Sequence, residues 1–168
     1  MDYVRVCAID AGTRNFAYCV VDNLTWNQPL RWKKEDLWKP HPKRRVKPTK
    51  EDMVRLTWQW VQNNKGWLDE CDVIILENQI RTPFIIMNAV IQALLFTKVQ
   101  SVSPMTVAAF FKLPKTRELK KPAAVRVTQQ YCVLDKSEAK PDDLADAWLM
   151  AVWGLIQAKG VSAKILNL

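Results

Sequence analysis

Two apolar runs, residues 3–10 (YVRVCAID) and 16–22 (FAYCVVD), flank the short break Ala11-Gly12-Thr13-Arg14. Runs of that length, rich in Val, Tyr and Phe and closed by turn residues, predict two antiparallel strands. A third strand is expected around Leu30 to Lys33, so the sheet opens with three consecutive antiparallel strands. Residues 36–50 carry Pro40, Pro42 and Pro48 among basic side chains and are expected to form a loop. The spacing of Val54, Trp58 and Val61 then predicts a helix from about Lys50 to Gly66, with Gly66 as its stop signal.

Val73-Ile74-Ile75-Leu76 is a continuous apolar run, as a central strand covered on both faces requires, and it ends in Glu77. Residues 84–97 (FIIMNAVIQALLFT) predict a long helix without a single charge. Lys98 to Val102 reads as a short strand and Thr106 to Phe111 as a short helix. A basic helix is expected from Arg117 to Tyr131, and a last helix from near Asp142 to about Lys159. Strands first, then alternating helices and strands, imply an α/β fold on a mixed sheet with helices on both faces. No repeat or boundary divides the chain, so residues 1–168 are expected to form one domain, with 36–50 as a basic, proline-containing loop.

Composition changes this picture in three ways. Hydrophobic residues at 49% and charged residues at 25% are enough for a folded core. No apolar run reaches membrane-spanning length and the N-terminus leads directly into strand-like sequence, so a soluble intracellular protein is expected. Cys7, Cys19, Cys71 and Cys132 form no CxxC pair, which argues for reduced thiols in or near the core rather than a zinc site.

The formal charge of +8 is concentrated in two places. Lys39, Lys43, Arg44, Arg45, Lys47 and Lys50 form one cluster; Lys112, Lys115, Arg117, Lys120, Lys121 and Arg126 form the other, offset only by Glu118. Such patches suit a polyanion, whose counterions each phosphate contact releases, although a plain solvated surface would also carry them. His41 is the only histidine, which leaves Ser-His, Cys-His and histidine-metal hydrolases without raw material. Gly12, Gly66, Gly154 and Gly160 are too scattered for a phosphate-binding loop, so no nucleotide cofactor is expected. Any chemistry must then rest on carboxylates.

Four acids stand out by position. Asp10 ends the first strand and Glu77 ends the central one. Asp143 and Asp146 are three apart on the last helix, which puts both on one face. Singly each has an ordinary reading: Asp10 as a turn former, Glu77 as a surface acid, Asp142 and Asp143 as N-cap and first-turn residues. Asp146 fits worst, because Leu144, Ala147, Trp148 and Ala151 surround it. Clustered carboxylates repel one another, and a hard divalent ion such as Mg²⁺ relieves that repulsion. Phosphodiester hydrolysis suits two such ions, one acidifying the attacking water and one neutralising the leaving oxygen, with Asp10 shared between them.

The motifs Ile9-Asp10-Ala11-Gly12-Thr13-Arg14-Asn15, Ile75-Leu76-Glu77-Asn78-Gln79 and Lys140-Pro141-Asp142-Asp143-Leu144-Ala145-Asp146-Ala147 resemble those of RuvC-type Holliday junction resolvases, in wording closest to the poxvirus and iridovirus branch. The basic segment Lys115-Thr116-Arg117-Glu118-Leu119-Lys120-Lys121 matches as well. The resemblance implies an RNase H-like fold and a Mg²⁺-dependent nuclease, Mn²⁺ substituting, with two ions per site. It implies metal ligation by Asp10, Glu77, Asp143 and Asp146, support or substrate contact by Asn15 and Gln79, and DNA contact by Arg14, Lys112, Lys115, Lys120, Lys121 and Lys140. Asp142 fits helix N-capping better than ligation. The implied partner is a four-way junction or other branched DNA, cut by a homodimer, and a viral chain would act in the cytoplasm where viral DNA replicates. A nuclease of RNA–DNA hybrids and a non-catalytic nucleic-acid-binding scaffold remain the alternatives. Trp26, Trp32 and Trp38 could stack on bases or simply pack.

The uncharged helix supports a dimer on its own terms. A helix covering one face of a sheet needs a single apolar stripe, whereas residues 84–96 carry apolar side chains on nearly every face, and Phe84, Ile85, Met87, Asn88, Ile91 and Leu95 are the expected interface. A second copy of the chain is the expected cover, with a fully buried helix in a monomer as the other reading.

Overall fold

Alternation along the strands decides what each face of the sheet holds. In the computed structural model, which describes residues 2–39, 46–133, 141–158 and 161–166, the strands are β1 (Arg5–Asp10), β2 (Phe16–Asp22), β3 (Arg31–Glu35), β4 (Val73–Glu77) and β5 (Val99–Val102). Their order is β3-β2-β1-β4-β5. The first three pair antiparallel, as expected, and β4 and β5 join in parallel. Val6, Ala8, Cys19 and Ile75 point to one face; Cys7, Ile9, Phe16, Ile74 and Leu76 point to the other.

The first face is covered by α3 (Pro104–Phe110), α4 (Arg117–Gln129) and α5 (Pro141–Gln157), the second by α1 (Lys50–Asp69) and α2 (Thr82–Leu95). Helix α5 is the central cover: its own Leu144, Ala145, Ala147, Trp148 and Leu149 are all buried. All four cysteines are free and buried.

Helix α1 departs from its expectation twice. The buried stripe is Met53, Thr57, Trp60, Val61 and Leu68, while Val54 and Trp58 face solvent. A threonine can occupy the buried position because its hydroxyl donates to the Met53 carbonyl, 2.7 Å away. The helix also runs through Gly66. Trp67 stacks on Tyr18 with ring centroids 5.5 Å apart, and Leu68 is fully buried. That packing outweighs the ~1 kcal/mol helix penalty of one glycine.

Helix α2 corrects the interface expectation residue by residue. Met87, Ile91 and Leu95 are buried in the chain's own core and Asn88 on the Glu77 carbonyl, so these four offer little surface to a second copy. Phe84 is partly buried on the same core. The face left outward is Ile85, Ala89, Ala93 and Phe96, at helical spacing.

Trp26, Trp32 and Trp38 pack rather than project. Trp26 lies against Tyr131 and Trp148. Trp32 is on β3, and its indole N–H donates to the Leu144 carbonyl at 2.8 Å. Trp38 is 1% exposed, with its indole N–H on the Val46 carbonyl at 3.2 Å and its backbone N–H on Thr13. Trp38 is therefore held beside the β1–β2 turn and against Val46, while residues 40–45, with Lys43, Arg44 and Arg45, lie outside the described residues. Lys112 is exposed at a backbone φ of 53° after α3, a left-handed conformation more usual for glycine.

Candidate active site

The β1–β4 register brings two of the four acids together. Ala8 pairs with Ile75 and Ile9 with Leu76, so Asp10 and Glu77 follow side by side at the strand ends. Period-two alternation then aims both at the face that carries Ala8 and Ile75, which is the face under α5. Helix α5 starts at that end of the sheet and supplies Asp143 and Asp146 from its first turns. The turn after β1 is tight: a Cβ on Gly12 would lie 2.8 Å from the Asn15 carbonyl oxygen, so glycine is required there.

These groups face one another closely enough for each to shift its neighbours' titration. Burial, then repulsion from Glu77, Asp146 and Asp143, holds the Asp10 carboxyl well above its ordinary range, opposed by a hydrogen bond from the Gln79 amide at 3.2 Å. Glu77 is pushed up to about 7 by burial and by Asp146, with Lys120 pulling it down. Asp146 rises to about 6, again mainly through burial, with Lys120 and Lys121 lowering it. Among the described residues, no group of three or more His, Cys, Asp or Glu side chains stands close enough together to hold an ion. The donors themselves, four partly buried carboxylates, fit a hard divalent cation and little else.

A cleft opens beside these acids. Glu77, Asp146 and Lys120 line it, over a floor that includes Val107, Leu113, Leu149 and Met150. Lys120, expected on phosphate, therefore sits within the acidic site itself. Lys121, expected on phosphate as well, pairs with Asp142. Asp142 is not an N-cap, because α5 begins one residue before it, at Pro141. Lys112, Lys115, Arg117 and Arg14 are exposed, Asn15 is partly buried beside the Gly12 turn, and Lys140 lies outside the described residues.

Two supports were not legible as functional in the sequence. The Asn88 amide donates to the backbone carbonyl of Glu77 at 2.7 Å, which fixes the end of β4 from the opposite face. The Trp32 indole holds the Leu144 carbonyl, between Asp143 and Asp146. Trp32 is 112 residues from the carbonyl it holds, and Asn88, although it follows β4 closely, sits in an otherwise apolar helix, so spacing gave no signal for either.

Residues 4–158 match the family described as Poxvirus A22 protein. Solved structures share the fold. The yeast mitochondrial Holliday junction resolvase Ydc2 is 19% identical, with a TM-score of 0.67 over 94% of this chain and 82% of that one. The Fowlpox virus resolvase, solved with its substrate Holliday junction DNA, is 19% identical, with a TM-score of 0.65 over 92% of this chain and 99% of that one. T. thermophilus RuvC, solved with a Holliday junction substrate, is 15% identical, with a TM-score of 0.57 over 93% and 95%. No curated protein matches the sequence. The RNase H-like, RuvC-type sheet expected from the motifs is the fold observed.

Proposed function

The chain belongs to the Poxvirus A22 protein family, and from that premise we propose that it is a divalent-metal-dependent endonuclease that resolves four-way DNA junctions. The observation that carries this reading is the convergence of Asp10 and Glu77, neighbours on one sheet face, with Asp143 and Asp146 of α5. Residues 1–168 act as one nuclease domain. Asp10, Glu77, Asp143 and Asp146 would hold the ions, Mg²⁺ with Mn²⁺ able to substitute and two per site. When bound, such ions acidify the attacking water and neutralise charge on the leaving oxygen.

The remaining roles fall to this chain's own groups. Gln79 orients the Asp10 carboxylate through its amide. Lys120 places a positive charge beside Glu77 and Asp146, where a scissile phosphate would enter the cleft. The apolar floor beneath keeps bulk water from that side, so the charges act in a medium of low dielectric. Arg14, Lys112, Lys115 and Arg117, all exposed, are the phosphate contacts that hold the arms of the junction. Asn15 orients substrate at the β1–β2 turn. No helix among the described residues is long and apolar enough to cross a membrane. The site of action we assign is the cytoplasm of the infected cell, where viral DNA replicates.

A synthetic four-way junction, a linear duplex and an RNA–DNA hybrid, each assayed with Mg²⁺, Mn²⁺ or chelator, test this reading. Paired nicks placed symmetrically across the junction, and lost with chelator, are expected. Faster cleavage of the hybrid would move the chain to another nuclease class. Tight junction binding with no cleavage in either ion would make it a scaffold.

Two-fold junctions require two sites, and a homodimer supplies them. The outward stripe Ile85, Ala89, Ala93 and Phe96 of α2 is the interface we assign, with Phe96 75% exposed and Ile85 46%. Ile85→Glu with Phe96→Glu is expected to convert a dimer to a monomer in sedimentation equilibrium at micromolar concentration, and to uncouple the two nicks. A dimer that survives both charges would place the interface elsewhere.

A further inference from the structure

Helix α4 carries two adjacent lysines that the fold uses differently. Lys120 lines the cleft with Glu77 and Asp146, while Lys121 reaches across to Asp142 in the first turn of α5. The Asp142 carboxylate is only 15% exposed, so this pair is partly desolvated rather than a loose surface contact. Directly after the two lysines comes Pro122, inside the helix. Proline has no N–H for the Glu118 carbonyl and crowds it sterically, so the start of α4 lacks one backbone bond, while the Lys120 N–H still donates to the Thr116 carbonyl at 2.8 Å. The ion pair is in the place to reinforce that turn.

We propose that Asp142 and Lys121 form a clamp between α5 and α4 that positions Lys120 against Glu77 and Asp146. Lys121 is then a positioning residue rather than a phosphate contact, and Asp142 is its anchor rather than a metal ligand. The clamp joins the same α5 turns that carry Asp143 and Asp146, so both sides of the cleft are set by one contact. The inference rests on the nuclease reading for its catalytic consequence, but not for its structural one.

The test uses the full chain with Asp142→Asn, Lys121→Gln and the charge swap Asp142→Lys with Lys121→Asp. Two readouts are taken: single-turnover cleavage of the junction, beside its binding and salt slope, and amide hydrogen exchange at residues 117–121. Either single change is expected to slow cleavage about ten- to a hundred-fold, as misplacement of a charged group does. Binding and its salt slope stay close to the parent value, and exchange at 117–121 rises. The swap restores protection and recovers most of the rate, which a direct phosphate role for Lys121 would not allow. Weaker binding with a salt slope reduced by about one in Lys121→Gln alone would make Lys121 a phosphate contact and overturn the clamp. Unchanged exchange and rate in both singles would overturn it as well. A parent chain that cleaves no junction, with exchange still rising in the singles and falling in the swap, would instead sink the nuclease reading and leave the clamp standing.

Discussion

Asp10→Asn is expected to lower junction cleavage by about three orders of magnitude, the scale set by losing one preorganised charged group at a reacting centre. The amide keeps the shape of the carboxylate and removes its charge, so the Gln79 contact and the strand end are disturbed little. Junction binding is expected to persist or tighten, because one repulsive charge facing phosphate is gone. The same substitution has a stability signature. Asp10, Glu77 and Asp146 all titrate above the ordinary carboxylate range, the last two near 7 and 6. A carboxyl whose folded pKa is raised binds more protons in the native state than in the unfolded one between those two values. Stability therefore falls as pH rises from about 4 through 7. Without divalent ions the parent chain should melt lower at pH 8 than at pH 5, and Asp10→Asn should narrow that gap. Parent-level cleavage in Asp10→Asn, or a melting temperature that rises with pH across this range, would defeat the acidic-site assignment.

The acids were legible in the sequence because strand ends and helical spacing are local facts. Asp10 and Glu77 each close an apolar run, and Asp143 and Asp146 share a helix face by their separation alone. The facing of Asp10 toward Glu77 required the parallel β1–β4 register, a non-local pairing. The same divide separates the basic residues. Lys120 and Lys121 are indistinguishable in composition, yet consecutive helix positions point about 100° apart, so one enters the cleft and the other meets Asp142. On α2 the charge-free sequence concealed which stripe was inward. Asn88 reads as the polar exception in an apolar helix, but it is buried because the Glu77 carbonyl accepts its hydrogen bond. For Trp26, Trp32 and Trp38 the sequence leaves stacking and packing open, and only the tertiary partners Tyr131, Leu144 and Val46 decide between packing and display.

Gly154 carries the second large expectation. A Cβ there would lie 2.6 Å from Ile75 Cγ1 and 3.0 Å from Val6 Cγ1, both on strands buried beneath α5. Neither neighbour is the free end of an exposed side chain, so the contact is relieved only by lifting α5 off the sheet. Alanine would add helix propensity worth ~1 kcal/mol, but overpacking a core of this kind costs about 1–3 kcal/mol. Gly154→Ala is thus expected to lower the melting temperature by several degrees, at roughly 2–4 °C per kcal/mol for a chain of this size. Gly154→Val, wider at Cβ, should fold poorly or not at all. Because Asp143 and Asp146 ride on the same helix, Gly154→Ala should also slow cleavage while leaving exposed Lys115 and Arg117 free to bind DNA. The diagnostic is the pairing with Ile75→Ala, which removes the colliding Cγ1. Alone, that change opens a cavity and destabilises by about 2–5 kcal/mol. Combined with Gly154→Ala it should cost less than the sum, by on the order of 1 kcal/mol in a double-mutant cycle. Strict additivity, or a Gly154→Ala chain that melts with the parent, would show that close approach at this residue does not hold α5 over the acids.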